Sequence, residues 1–107
     1  MSELADSNIS CVNNVFIKQM VFRKAGQIAV THAHTYDHQT LVATGALRVI
    51  VNGHVTEYRA PAIIIIAAGQ HHGLEALVDQ TVAYCIHAMT GEPLVQGIEN
   101  DALHSLA

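Results

Sequence analysis

Three histidines in the stretch GQIAVTHAHTYDHQTLVATG, residues 26–45, have the types and spacing to do chemistry. His32 and His34 stand two apart, and residues i and i+2 of a β-strand point to the same face. Ile28, Val30, Thr31 and Thr35 around them favour a strand. Thr35-Tyr36-Asp37 can turn the chain and bring His38 back toward the first pair. Neutral imidazole is a borderline donor suited to zinc, copper, iron and nickel, so three converging rings would hold a divalent transition metal. A fourth candidate lies in His71-His72. Adjacent strand residues face opposite sides, so only one of these two can enter a shared pocket.

The elements that must position these residues read as short strands. Residues 1 to about 10 are polar and read as a loose leader. NVFIKQMVFR, residues 14–23, is β-branched and aromatic and reads as one or two outer strands, with a turn over Arg23-Lys24-Ala25-Gly26. In ALRVIVNGHVTEYRA, Asn52-Gly53 is the preferred two-residue type I′ hairpin turn, since both positions tolerate positive φ. That turn sets Val51 opposite His54, Val49 opposite Thr56 and Arg48 opposite Glu57, an opposite-charge pair that supports the register. His54 is then an exposed turn residue and not a ligand. The apolar run from Ala60 to Ala68 is far too short to cross a bilayer and reads as a strand buried on both faces. TVAYCIHAM, residues 81–89, is a last core strand, on which Cys85 and His87 share a face; they are core residues or line a cavity near the metal. Residues 91–107 are expected to wrap the surface or meet a partner subunit, with His104 exposed. No long helix is expected, and about eight strands separated by turns indicate an antiparallel β-sandwich or barrel.

The histidine stretch resembles the first signature of the cupins: Gly, five residues, His-x-His, three residues, an acidic ligand, six residues, Gly. Here it reads Gly26, His32-Ala33-His34, His38 and Gly45, with every spacing kept and His38 standing where the common pattern has Glu. The second signature is matched less fully by PAIIIIAAGQHHGLEA, residues 61–76. Gly69 and His72 fall on the family's Gly and His, while Pro61, Ala67 and Ala76 replace its first Gly, its Pro and its Asn. The resemblance covers residues 20 to 90 or so. It implies a jelly-roll barrel, and metal ligands His32, His34, His38 and His72 aimed into its mouth. The change from Glu to His38 leaves the ion's charge uncancelled. That favours a strong Lewis acid with a taste for anions, and shifts preference from manganese toward copper, zinc, nickel or ferrous iron.

Length and composition bound the rest. A chain of 107 residues, half hydrophobic and 13% charged, has room for a single domain, with its core over about 12–92. A net charge of −4 with five Lys and Arg argues against nucleic acid, and no segment suits a membrane span or a secretory signal. Cys11 and Cys85 do not make a disulfide framework, and reduced thiols fit the cytoplasm. A chain this small and apolar is expected to hide surface in a homodimer.

The resemblance implies a metal-dependent enzyme acting on a small molecule. Oxidation or cleavage of an enolic, phenolic or carboxylate substrate by O₂ is favoured. Isomerisation or elimination, or a non-catalytic metal- or ligand-binding module, are the alternatives. Tyr36 and His87 are candidate acid–base groups. A sugar phosphate is disfavoured because Arg23, Lys24, Arg48 and Arg59 fall at turns or surface positions.

Overall fold

The computed structural model describes residues 3–30 and 37–89 of the chain. Among them are nine strands and no helix: β1 (Asp6–Val12), β2 (Val15–Phe22), β3 (Ile28–Val30), β4 (His38–Thr44), β5 (Ala46–Val51), β6 (His54–Arg59), β7 (Ala62–Ile66), β8 (His72–Ala76) and β9 (Thr81–Ala88). They form two antiparallel sheets, in the orders β1-β2-β9-β4-β7 and β3-β8-β5-β6. The sheets face each other across one core, so the chain is an all-β jelly roll, as the turn pattern indicates.

The core follows from period-two alternation. On β2, Phe16, Lys18, Met20 and Phe22 are buried while Val15, Ile17, Gln19 and Val21 are more exposed. On β9, Thr81, Ala83, Cys85 and His87 are buried, and on β4, His38, Thr40 and Val42. Against them the second sheet sets Leu47, Val49, Leu74 and Ala76. Met20, Phe22, Val42 and Leu47 have no exposure, and each such side chain contributes about 1.5–3 kcal/mol through burial.

The β5–β6 hairpin has the anticipated turn. Asn52 and Gly53 have φ of 48° and 84°, and the pairs Val51–His54, Val49–Thr56 and Arg48–Glu57 all form. Arg48 contacts Glu57 at 3.1 Å and, beyond the sequence expectation, Glu75 on β8 at 3.0 Å. These partly exposed ion pairs are worth about 0–1 kcal/mol each, so they select register more than they add stability.

Two expectations need correction. Residues 6–12 are not a loose leader: β1 pairs along its whole length with β2, from Asp6–Val21 to Val12–Val15. Its side chains are mostly exposed and polar, as suits an edge strand, which is why the segment reads as unstructured. The isoleucine run is not buried on both faces either. β7 is the other edge of the same sheet, with Ile64 and Ile66 in the core and Ile63 and Ile65 at 68% and 74% exposure. A β-branched run signals a strand but cannot say how many faces are covered. In addition, residues 14–23 hold one strand, β2 (Val15–Phe22), and it is flanked on both sides by β1 and β9.

Gly45 locks the β4–β5 turn against the start of β9. Its φ is 80°, and a Cβ there would lie 2.8 Å from the Thr81 Cα and 2.9 Å from its Cβ, and against its hydroxyl. The Thr81 hydroxyl is fully buried, accepts from the Ala46 amide at 3.2 Å and reaches the Val78 carbonyl at 3.0 Å. Gly45→Ala combines a left-handed backbone cost with overpacking and is expected to destabilise by about 2–5 kcal/mol. Gly53→Ala, at an open hairpin tip with φ 84°, should cost about 1–2 kcal/mol. Urea unfolding of the two variants checks the difference.

Candidate functional site

His38 opens β4, His72 opens β8 and His87 lies near the end of β9. Because β4 runs antiparallel to β9, the first and last of these meet at the same end of the sheet. All three histidines are buried, at 5%, 5% and 8% exposure. His38 and His72 come from opposite sheets, and their rings lie 5.0 Å apart between centroids, tilted by 45°. His71 is exposed, so alternation along β8 settles which of the two neighbours turns inward.

Local contacts orient the pair. Asp37 accepts from the Ala68 amide at 2.7 Å, tying the start of β4 to the turn before β8. His72 Nδ1 is 3.4 Å from the Gln70 carbonyl. A carbonyl only accepts, so Nδ1 carries the proton and Nε2 keeps its lone pair. Burial pushes the His72 pKa below its ordinary value; the Gln70 carbonyl opposes this, and the charges of Lys18 and His71 add to it. The ring is therefore neutral at pH 7, the form that can ligate.

An imidazole nitrogen binds a divalent ion at about 2.0–2.1 Å, which puts the ring centroid about 3.2 Å from the ion; rings 5.0 Å apart would subtend about 100°. That angle lies between the octahedral and tetrahedral values, so the spacing of the two rings is compatible with one shared ion, although centroid distance alone does not fix where their nitrogens aim. Among the described residues no group of three or more His, Cys, Asp or Glu side chains gathers to hold an ion. Of the expected ligands, His38 and His72 are brought together, while His32 and His34 lie outside the described residues, as does Tyr36. The described chain ends on either side of residues 31–36 beside the pair: Val30 is paired with Gly73, and Asp37 precedes His38.

His87 has contacts of its own. Its ring lies 5.0 Å from that of Phe16, and its Nδ1 is 3.3 Å from the Ala88 carbonyl. With His38 it lines an open cleft of about 380 Å³, whose walls also include Asp37, Gln39, Ile65 and Ile86. Cys85 belongs to the hydrophobic core instead. Burial raises its thiol pKa, only partly opposed by the Thr40 hydroxyl and the Lys18 charge, so it is a protonated core thiol. Thr40 Oγ1 is 3.4 Å from its sulfur. Cys11 is also a free thiol. His54 is exposed at the hairpin, as anticipated, and His104 lies outside the described residues.

Sequence reasoning passes over Lys18. At 4% exposure it is buried on the inner face of β2, paired across the sheet with Cys85. The signal was present: it shares the two-residue spacing of Phe16, Met20 and Phe22. Burial lowers its pKa, and the neighbouring Cys85 raises it.

No protein-family model matches the sequence, and no curated protein matches it. Solved structures match the fold. KdgF from Halomonas sp. superposes with a TM-score of 0.69 at 17% identity, over 80% of this chain and 79% of that one. An RmlC-like cupin from Desulfovibrio desulfuricans gives 0.67 at 23% identity, over 78% and 81%. A cupin 2 domain-containing protein from Halorhodospira halophila gives 0.70 at 14% identity, over 90% and 74%. The chain has the fold of the cupin superfamily.

The lowered pKa of His72 has a sign. Unfolded histidine takes up a proton near pH 6.5, whereas the folded protein resists it until lower pH. The stability from a neutral buried His72 is therefore complete above about pH 6.5 and is lost as pH falls toward the lowered folded value. Metal-free protein should unfold at lower urea at about pH 5.5 than at pH 7.5, and His72→Phe should flatten that slope.

Proposed function

We propose that this chain is a metal-dependent enzyme, with His32, His34, His38 and His72 holding one divalent transition metal at the mouth of the barrel. The observation that carries this reading is the His38–His72 pair, two buried rings from opposite sheets 5.0 Å apart. It is supported by the signature spacing of His32 and His34 within the stretch that joins β3 to β4. The metal would be zinc, copper, nickel, iron or manganese, the all-imidazole donor set favouring the first four. It would supply Lewis acidity and open positions for small oxygen ligands.

The chain's own groups do the rest. The Gln70 carbonyl holds the His72 tautomer, and the Asp37–Ala68 bond anchors the strand carrying His38. Ile65 and Ile86 give the cleft apolar walls for an organic substrate, and Gln39 adds a polar contact. We assign the reaction as oxygen-dependent oxidation or cleavage of a small enolic, phenolic or carboxylate molecule. Isomerisation or elimination is the second reading; it needs a group that moves a proton, and the buried His87 imidazole on the cleft wall can do so.

Elemental analysis of the purified protein should find one transition metal per chain. His32→Ala and His34→Ala should lose it, whereas His54→Ala and His104→Ala should retain it. Retention should weaken as pH falls through about 6.5, because protonated imidazole cannot ligate; full retention at about pH 5 would refute the ligand set. An oxygen electrode separates the two reactions: consumption of O₂ with enolic or phenolic substrates supports the oxygenase, and turnover undiminished without O₂ supports the isomerase.

A further inference from the structure

The five-stranded sheet has an outer face as apolar as its inner one. Positions that alternate with the core residues point away from the core, and register groups them into rows. Ile17 pairs with Ile86, Ile86 with Gln39 and Gln39 with Ile65, so one row crosses β2, β9, β4 and β7. A second row runs through Asn8, Gln19, Tyr84, Leu41 and Ile63. At one end Val12 pairs with Val15, both of them exposed, and at the other Val21 pairs with Val82. No outward position of β2, β9, β4 or β7 carries a charge. Asp6, the charge on the outward side of β1, stands at the start of that edge strand and pairs with Arg23.

Polar groups in the middle of this face bond one another. Asn8 Nδ2 donates to Gln19 Oε1 at 3.0 Å, and Gln19 Nε2 donates to the Tyr84 hydroxyl at 2.9 Å. Bonds that run along the surface lower the cost of covering these side chains with a second layer. Contiguous exposed apolar surface of this kind marks an interaction site. Five strands about 4.8 Å apart and five to eight residues long, at about 3.3 Å per residue, span a face of about 500 Å². Two such faces together reach about 1,000 Å², the size that a specific interface has to clear. A chain of net charge −4 repels its own copy, so two copies meet best where neither is charged. The other sheet does not offer that, because Arg48, Glu57 and Glu75 stand on its outer face.

We propose that the outer face of the five-stranded sheet docks a second copy of this chain, sheet against sheet about a two-fold axis. A two-fold interface uses the same patch on both copies, so the patch must suit itself, and an uncharged apolar face does. Gln39, Ile65 and Ile86 also line the cleft, so the second copy walls it on that side. The inference uses no metal and stands apart from the proposed function.

Sedimentation velocity of the full chain between about 1 and 200 µM tests this. Wild-type protein should sediment at twice the monomer mass, both before and after a chelator has stripped any metal. Ile65→Glu and Val15→Glu lie at opposite sides of the face, and both positions are exposed, so the circular dichroism of the chain should not change. Each should raise the dimer dissociation constant at least about tenfold, because the carboxylate is buried against an uncharged face. Ile65→Thr, polar and β-branched, should raise it less and serves if neither glutamate variant folds. Val55→Glu, exposed on the outer face of the other sheet, should leave the constant within about twofold. Four results would overturn the docking face. One is a chain that stays monomeric throughout, its face then covered by residues 90–107 or by a different protein. Another is a dimer lost on metal stripping. A third is a dimer weakened by Ile65→Glu and not by Val15→Glu, which is pairing through the β7 edge. The last is a dimer weakened only by Val55→Glu. A dimer of protein that takes up no metal would sustain the face while removing the metal reading.

Discussion

The register of β9 between β2 and β4 is the constraint on which the rest of this barrel depends. β9 is the middle strand of the five-stranded sheet, and its inward residues set the opposing residues on both neighbours. With Cys85 opposite Lys18 and Thr40, every other residue of three strands faces the core. A slip of β9 by a single residue would turn Cys85 and His87 outward and bring Tyr84 and Ile86 in. Thr81 secures the register at the far end of β9, where its hydroxyl bonds the Ala46 amide and leaves room only for glycine at position 45.

That constraint sorts the interior into two parts. Toward the Thr81 end the core is apolar, with Met20, Phe22, Val42, Leu47 and Ala83 fully buried. Toward the other end the inward positions are mixed: Lys18, Thr40, Cys85, His38, His72 and His87 stand among the buried Phe16, Ile64 and Ile66. The second part carries desolvated titratable groups, which lower stability wherever they sit. The open cleft of about 380 Å³ lies at the polar end.

The edges of the large sheet show a different economy. β1 is polar and mostly exposed, whereas β7 presents Ile63 and Ile65 to the outside. Both are edge strands, but their sequences look unlike each other, because one edge is blunted by polar residues and the other is not. Sequence reasoning misjudged both for the same reason. Strand propensity is a property of the segment, while coverage of its faces is a property of what the fold sets beside it.

Much of the architecture was legible in the residues. Asn52-Gly53 and the Arg48–Glu57 pair specified a hairpin whose register the structure repeats pair for pair. The spacing of Gly26, His32, His34, His38 and Gly45 pointed to the jelly roll, and alternation on β8 left His71 and His72 on opposite sides. These are local facts, carried by turn chemistry and period-two patterning over a few residues. The meeting of His38 with His72 was expected only through the resemblance, and the burial of Lys18 beside Cys85 and the exposure of Ile63 and Ile65 were decided by tertiary structure alone. Each depends on which strands become neighbours or face each other across the core, through pairings between residues far apart in the chain, and short-range pattern carries no record of those.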